Sequence, residues 1–243
     1  MKIIASTQNK EIRFVSKLQN SKGRKEQNKF MAEGLRTLKS LTDSKIKLVQ
    51  MYSTQAAAEE AKTIAPTNLI TLVSEPVLEK MCASTTPSGL LGIFEIPPKP
   101  ETIQDGIVLA QISDSGNMGT LIRTTAAMKF KTVVLIEGCD PWSPKVVQAS
   151  AGTIGMVDIF QLSWQELIEQ KKELTLSALV VSGGTAPTKS SNLIVVGNEA
   201  HGLPENWIKD CQEKITLKMP GNTESLNAAI AGSIALYLKA NAS

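Results

Sequence analysis

Three stretches of this chain place polar side chains directly after short apolar runs. The first, QISDSGNMGTLIRTTAAMKF, carries Asp114, Asn117 and, under two helical turns further on, Arg123. The second, LIVVGNEAHGLP, carries Glu199, and the third, PGNTESLNAAIAGSIALYL, has five polar residues between 222 and 227. Carboxylate and amide groups can hold a ligand, and a guanidinium can hold a phosphate. The three stretches are therefore candidate binding or catalytic sites.

Each stretch also has a purely structural interpretation. In the third, Asn222 or Thr223 is predicted to cap a helix by accepting its free amide hydrogens. The glycines of the first two could supply positive φ in turns, Glu199 could complement a helix N-terminus, and His201 is interpreted as a surface turn residue. Neither a GxGxxG nor a GxxxxGK[ST] pattern is present, so a dinucleotide or P-loop phosphate site is not supported.

The second half of the chain reads as alternating strands and helices. After the proline-rich segment EIPPKPETIQDG come six apolar runs: GIVLAQIS, TVVLIEG, MVDIFQL, TLSALVVS, LIVVGNE and KITLKMP. Five segments of helical character lie between or after them: MGTLIRTTAAMKF, SPKVVQASAG, SWQELIEQKKEL, LPENWIKDC and ESLNAAIAGSIALYLKA. This pattern predicts a parallel sheet covered on both faces, with ligands outside the carboxyl ends of its strands.

The first half predicts a smaller α/β module. A helix is expected over residues 28–41, followed by a strand in IKLVQMYS, a helix in TQAAAEEAKTIAP, a strand in LITLVS, a helix in EPVLEKMCA and a strand in GLLGIFEI. Pro97, Pro98 and Pro100 can continue neither a helix nor a central strand. The predicted organisation is therefore a domain over 1–98, a linker over 99–106 and a second domain over 107–243.

Positive charge is concentrated at the front of the chain. The first fifty residues hold twelve Lys or Arg and four acids, a net +8, and the overall charge of +3 leaves −5 for the remainder. The densest part is SKLQNSKGRKEQNKF, whose glycine disfavours one long helix. A solvated surface is one explanation, but a charge this large favours contact with a nucleic-acid backbone. The candidate RNA-binding residues are Lys22, Arg24, Lys25 and Lys29.

Cysteine and histidine are too sparse for a structural metal centre. Cys82, Cys139 and Cys211 form no CxxC pair and share the chain with one histidine, so we expect neither a zinc site nor a disulfide framework. The N-terminal MKIIASTQNK contains no long apolar stretch, and no window approaches the roughly 20 apolar residues of a membrane helix. The expectation is a soluble, cytoplasmic protein without membrane contact or metal.

Taken in order, the three polar stretches resemble the SpoU/TrmH branch of the SPOUT superfamily of RNA ribose 2′-O-methyltransferases. DSGNMGTLIRTTAAMKF is similar to the first motif of that family, VVGNEAHGLP to the second and LKMPGNTESLNAAIAGSIALYL to the third, a resemblance that spans 107–240. KGRKEQNKFMAEGLRTLKSL is similar, more loosely, to the ribosomal-protein-like RNA-binding domain of many members. Ser115 and Lys218 depart from the pattern, since the family usually has proline at both positions.

The resemblance implies an α/β fold with a trefoil knot, S-adenosylmethionine as methyl donor and a homodimer with active sites near the subunit interface. Carried onto this sequence, the catalytic residues are Asn117, Arg123, Glu199, Ser225 and Asn227. We expect Arg123 to orient the ribose and its phosphate and to stabilise the developing alkoxide, because a guanidinium offers no proton acceptor. The proton would then leave to the phosphate or to water.

Cofactor contacts in the family come mainly from backbone at strand ends and motif loops. On this sequence the resemblance places them at Ser182, Gly183, Gly197, Leu217, Met219 and Leu226. The additional front domain favours ribosomal RNA over transfer RNA as substrate. The alternatives are a transfer RNA 2′-O-methyltransferase and a non-catalytic RNA-binding protein on the same scaffold. A generic nucleotide-binding enzyme would require a phosphate-cradling loop, and none is visible.

Overall fold

The chain divides into two compact units. A computed structural model describes residues 2–190, 192–221 and 225–242. The first unit comprises Met1–Pro98 and Asp140–Gly155, and the second comprises Lys99–Cys139 and Met156–Ser243. The segment Asp140–Gly155 lies inside the predicted second domain of 107–243 but is grouped with the first unit. No helix in the described part of the chain is long and apolar enough to cross a membrane.

The first unit is built on a five-stranded mixed sheet. Its elements are β1 (Lys2–Ile4), α1 (Lys10–Ser16), α2 (Ser21–Gln27), β2 (Lys29–Glu33), α3 (Leu35–Asp43), β3 (Leu48–Ser53), α4 (Ala58–Lys62), β4 (Ile70–Val73), α5 (Glu75–Met81) and β5 (Leu90–Glu95), with 3₁₀ turns at Lys17–Gln19 and Thr67–Leu69. The strand order is β1-β4-β3-β5-β2, with β5 antiparallel to both neighbours. The predicted α/β character is confirmed.

The predicted helix over 28–41 is wrong in its first part. Lys29–Glu33 is a strand that pairs with β5, placing Phe30 opposite Phe94, and the helix begins only at Leu35. Gly34 separates the two elements with a φ of 82°. Phe30 is fully buried, and pairing with the distant strand Leu90–Glu95 overrides local helix propensity there.

Gly23 allows α2 to pack tightly against the preceding 3₁₀ turn. A Cβ at this position would lie 2.1 Å from the carbonyl oxygen of Lys17. The helix is only seven residues long, in line with the expectation that this glycine disfavours a long one. The basic segment is thus divided among short elements.

The second unit contains the predicted parallel sheet. Its elements, together with one helix of the first unit, α7, are β6 (Gly106–Ala110), α6 (Ser115–Ala127), β7 (Thr132–Ile136), α7 (Pro144–Ala149), β8 (Asp158–Gln161), α8 (Trp164–Gln170), β9 (Leu176–Leu179), β10 (Leu193–Val196), α9 (Glu205–Asp210), β11 (Glu213–Ile215) and α10 (Ala228–Ala240), and a 3₁₀ turn covers Thr153–Met156. The order is β11-β9-β10-β6-β7-β8, with every pair parallel. β6, β7 and β10 are buried along their whole length, as their apolar runs predict.

Small residues let α10 approach α6 closely. A Cβ on Gly232 would lie 2.6 Å from Leu121, and the hydroxyls of Ser233 and Thr124 are 2.9 Å apart. At the far end of α10 the buried Lys239 ammonium donates to Asp105 Oδ2 at 3.0 Å, and it also donates to a backbone carbonyl. These contacts fix α10 along its length and therefore fix the position of its N-terminus.

Candidate active site

The Glu199 carboxylate is the centre of a hydrogen-bond network at the carboxyl ends of β6 and β10. Its Oε1 accepts from Asn117 Nδ2 at 3.0 Å and from the Asp114 amide at 3.2 Å. Its Oε2 accepts from the Ser113 hydroxyl at 3.1 Å and from the Ser113 amide at 3.4 Å. Because both oxygens are occupied as acceptors, this carboxylate positions its neighbours.

The network continues from Glu199 to the third polar stretch. The side chain of Asn117 accepts at Oδ1 from Asn227 Nδ2 at 3.1 Å, and its Nδ2 donates to Glu199. Asn227 is the N-cap of α10, accepting from the amides of Ala229 and Ile230. Side chains from all three sequence motifs are therefore joined in one chain of hydrogen bonds.

The cap of α10 differs from the predicted one. The helix begins at Ala228 with Asn227 as N-cap, whereas the sequence predicts Asn222 or Thr223 as the cap. Those two residues lie outside the described part of the chain. An asparagine side chain at this position satisfies two free amides of the first turn and so has a structural role in addition to its bond with Asn117.

A tight turn after β10 presents Glu199 to the network. Asn198 and Gly202 exchange two backbone hydrogen bonds of 3.0 and 2.9 Å across this turn. The Asn198 side chain accepts from two amides of the turn and donates to the backbone carbonyl of Gln111, which follows β6. A Cβ at Gly197 would lie 2.4 Å from the carbonyl carbon of Gly202, so only glycine fits there.

The environment of Glu199 favours its ionised form. Partial burial acts to raise the pKa of this carboxyl, but the hydrogen bonds from Asn117, from its own amide and from the amides of Asp114 and Ser113 outweigh burial and hold the pKa below its ordinary value. Glu199 is therefore a carboxylate at neutral pH. A low pKa makes it a weak base, which agrees with a positioning role.

A cavity of about 330 Å³ opens beside this network. It contains five of the predicted site residues besides Glu199, namely Gly197, Leu217, Met219, Ser225 and Leu226. The remaining lining comes from the ends of β9 and β10, the 198–202 turn and the first turns of α10: Leu179, Val180, Val181, Val196, Asn198, Ala200, His201, Gly202, Ala228 and Ala231. Its size and mostly apolar walls are typical of a site for a small organic ligand.

Two predicted cofactor residues fall just outside the cavity lining. Ser182 and Gly183 are exposed and directly follow Val181, which does line it. Gly183 has a φ of 81°, and a Cβ added there would meet nothing within 4 Å. The structure therefore brings the chain of β9 to the cavity but does not bring these two residues into its wall.

Arg123 lies on the exposed surface of α6. Within the described residues it has no hydrogen bond or ion pair, so neither Ser225 nor Asn227 holds it. Asn117 and Arg123 are about 120° apart around the helix, which aims their side chains in different directions. Arg123 is thus available to an anionic partner from solvent.

The predicted RNA-binding residues separate into exposed and buried ones. Lys22 and Lys25 are exposed on α2, and Lys29 is partly buried at the start of β2. Arg24 is only 3% exposed; its guanidinium bonds to Asp140 Oδ2 at 2.6 Å and to the Leu18 carbonyl at 2.7 Å. This placement contradicts the RNA-contacting role predicted for Arg24, because a buried and paired guanidinium cannot reach a phosphate.

Sequence reasoning missed the supporting residues of the network. Ser113 contributes its amide and hydroxyl to Glu199, and Asn198 shapes the turn that carries it. The available signal was position, because Ser113 directly follows an apolar run and Asn198 precedes the motif glutamate. No cluster of three or more His, Cys, Asp or Glu suited to a metal ion occurs among the residues that the structure describes.

Comparison with known proteins identifies the family. Residues 106–237, more than half of the chain, match the family model described as SpoU rRNA Methylase family. The chain belongs to this family. Residues 9–92 match an MRM3-like substrate binding domain. The predicted resemblance, the α/β fold class, the RNA methyltransferase activity and S-adenosylmethionine as cofactor are confirmed.

This SpoU family member is similar to other methyltransferases over nearly its whole length. It is 28% identical to an uncharacterized tRNA/rRNA methyltransferase of Synechocystis, over 96% of this chain and 92% of the relative. It is 24% identical to the 23S rRNA (guanosine(2553)-2′-O)-methyltransferase RlmP of Bacillus subtilis, over 98% of both chains. An AdoMet-bound rRNA methyltransferase structure from Sinorhizobium meliloti superposes with a TM-score of 0.85 at 28% identity, covering 98% of this chain and 97% of that one.

Replacing Gly197 with alanine is expected to weaken S-adenosylmethionine binding. The added Cβ would meet the backbone of Gly202 and Leu203 at 2.4 and 2.5 Å, so the turn beside the cavity must move. We expect a dissociation constant raised about 10-fold, equivalent to about 1.4 kcal/mol, measured by titration calorimetry. Gly221→Ala is the matched control, because nothing lies within 4 Å of its added Cβ. Unchanged affinity in Gly197→Ala would show that the turn does not shape the cofactor site.

The low pKa of Glu199 predicts a pH dependence of stability. Since the folded pKa lies below the ordinary value of 4.5, the carboxylate stabilises the fold fully above that value, and this contribution is lost as the pH falls through the folded pKa. The difference in unfolding free energy between the wild type and Glu199→Gln should therefore stay constant from about pH 7 to about pH 5.5 and shrink below about pH 4.5. Urea denaturation at a series of pH values measures it. A difference that grows on acidification would contradict this assignment.

Proposed function

We propose that this protein transfers the methyl group of S-adenosylmethionine to a ribose 2′-hydroxyl of ribosomal RNA, which its first unit helps to bind. The observation that carries the proposal is the Glu199-centred network, which joins all three family motifs beside a cavity of about 330 Å³. The substrate class follows from the relatives. RlmP is named as a 23S rRNA 2′-O-methyltransferase, and its alignment with this chain covers 98% of both chains. The basic first half agrees with an RNA substrate.

The cavity fits the cofactor in size and chemistry. Apolar side chains such as Leu217, Met219 and Leu226 can cover an adenine ring, and the backbone of Gly197 lines the same cavity. The Glu199 carboxylate at its edge complements a positively charged sulfonium. When bound, S-adenosylmethionine supplies the electrophilic methyl group. Ser225, exposed on the cavity wall, is placed to donate or accept a hydrogen bond to a ligand there.

The protein's contribution to the reaction is mainly positioning. Glu199 fixes Asn117 and the turn at Ser113, and Asn117 in turn holds Asn227. Holding reactants in the correct geometry can lower a barrier substantially without an acid or base from the protein. Neither the occupied Glu199 carboxylate nor the Arg123 guanidinium is suited to accept the ribose proton. We therefore assign the proton to a substrate phosphate or to water, with Arg123 holding that phosphate.

The substrate class is tested by methyl transfer from labelled S-adenosylmethionine. The acceptors are purified ribosomal RNA and transfer RNA from a strain that lacks the gene. We expect label in ribosomal RNA from that strain and little in ribosomal RNA from the parent strain, whose target is already methylated. Transfer to transfer RNA alone would overturn the substrate assignment, and absence of both cofactor binding and transfer would favour a non-catalytic RNA-binding protein.

We further propose that the protein is a homodimer that associates through α10. Ile230, Ile234 and Tyr237 follow one another at helical spacing on α10 and are 52%, 38% and 57% exposed. An exposed apolar stripe of this kind favours a protein interface. Ile230→Lys should shift the protein to a monomer in sedimentation velocity, whereas Ile3→Lys, at an exposed isoleucine of β1, should not. A wild-type monomer at high concentration would overturn the proposal.

A further inference from the structure

Helix α1 exposes an aromatic ring among cations on one face. Phe14 is 51% exposed. Lys10, Arg13 and Lys17 are exposed as well, at positions i−4, i−1 and i+3 relative to it. With about 100° between successive helical residues, these four side chains fall within an arc of about 100°. Lys17 keeps helical backbone angles as the C-cap of α1, so it continues the same face.

The opposite side of α1 is committed to the core. Ile12 is fully buried and Val15 is 6% exposed. The acid of this helix, Glu11, also points inward, where it accepts a hydrogen bond of 2.9 Å from the Tyr52 hydroxyl. The exposed face of α1 therefore carries three positive charges and no carboxylate of its own helix. Phe14 lies on this exposed face and does not fill the core, because Ile12 and Val15 fill it from the opposite face.

We propose that this face, formed by Lys10, Arg13, Phe14 and Lys17, binds unpaired nucleotides of the substrate RNA, with a base stacked on Phe14 and phosphates held by the three cations. Charge complementarity selects a polyanion as the occupant, and the aromatic ring selects unstacked bases over a duplex, whose bases are not free to stack on a side chain. The proposal rests on the proposed function, which supplies RNA as the substrate. It adds a contact surface distinct from the α2 lysines predicted from the sequence.

The test measures binding of the full-length protein to two labelled probes by fluorescence anisotropy. One probe is a single-stranded oligouridylate of about 12 nucleotides, and the other is an RNA duplex of the same length. We expect Phe14→Leu to weaken single-strand binding about 5-fold or more and to leave duplex binding unchanged, because leucine keeps the apolar bulk without a π face. Phe14→Trp, which keeps a ring for stacking, should bind as the wild type does.

The charge contribution has its own readout and matched control. Arg13→Gln should make the dependence of log affinity on log salt shallower by about 0.7, whereas Phe14→Leu should leave this slope unchanged. Arg36→Gln, at an exposed arginine of α3, is the control and should leave the slope unchanged. Circular dichroism melting confirms that each variant is folded; should Phe14→Leu not fold, the slopes of Arg13→Gln and Arg36→Gln decide the proposal.

Two outcomes overturn the proposal. One is equal single-strand affinity in the wild type and Phe14→Leu together with equal salt slopes in the wild type and Arg13→Gln. The other is concentration-dependent self-association that Phe14→Leu abolishes while RNA affinity is intact, which assigns the face to a second copy of the chain. Methyl transfer to ribosomal RNA is measured on the same wild-type sample. Transfer together with either of these two outcomes defeats this proposal alone, and no transfer together with the expected changes in affinity and salt slope defeats the proposed function alone.

Discussion

Replacing Glu199 with glutamine should lower kcat/KM for RNA methylation about 100-fold, because small displacements of positioned groups cost that much. The groups around this carboxylate are all donors: Asn117 Nδ2, the amides of Asp114 and Ser113, and the Ser113 hydroxyl. A glutamine offers them one acceptor oxygen and turns its own NH₂ toward another donor. The substitution should therefore displace Asn117 and, through its hydrogen bond, Asn227. Steady-state kinetics with labelled S-adenosylmethionine measures it.

Glu205→Gln is the matched control for this variant. Glu205 is exposed in the first turn of α9, close in sequence but not part of the network. We expect its kinetics to match those of the wild type. Wild-type kcat/KM in Glu199→Gln would remove the network from the mechanism.

Replacing Arg123 with lysine should lower turnover about 100-fold or more, comparable to the loss of one transition-state hydrogen-bond donor. Lysine keeps the positive charge but lacks the planar fork that binds a phosphate through two parallel hydrogen bonds. Since Arg123 is exposed and does not line the cavity, affinity for S-adenosylmethionine should be unchanged by calorimetry. The effect should appear in single-turnover methyl transfer at saturating cofactor.

Arg36→Lys provides the control at another exposed arginine and should be fully active. Near-normal turnover in Arg123→Lys would show that charge alone suffices and that the orienting role is wrong. A loss of cofactor affinity equal to the loss of turnover would assign Arg123 to the cofactor site.

The sheet of the second unit could be predicted because its signal is local. Strands such as Thr132–Ile136 are continuous apolar runs between polar turns, and burial on both faces requires that pattern. The strand at Lys29–Glu33 could not be predicted in this way. Its identity depends on pairing with Leu90–Glu95, and nothing in the local sequence reveals a partner at that separation.

The same distinction holds for functional residues. The types of residue at the site were visible in the sequence, but the bonds of Asn117 to Glu199 and Asn227 join positions 82 and 110 residues apart. Arg24 was misassigned for this reason, since its partner Asp140 is 116 residues away. A charged residue in a basic segment looks exposed until the carboxylate that buries it is located.

The chemical nature of the product tests the central claim most directly. Ribosomal RNA from a strain lacking the gene is methylated with labelled S-adenosylmethionine and then hydrolysed in alkali. Alkaline cleavage needs a free 2′-hydroxyl, so a 2′-O-methyl group protects the adjacent bond. The wild type should place its label in alkali-resistant dinucleotides from a defined position, and Glu199→Gln should give almost none. Label recovered in mononucleotides, which marks methylation of a base, would contradict the account.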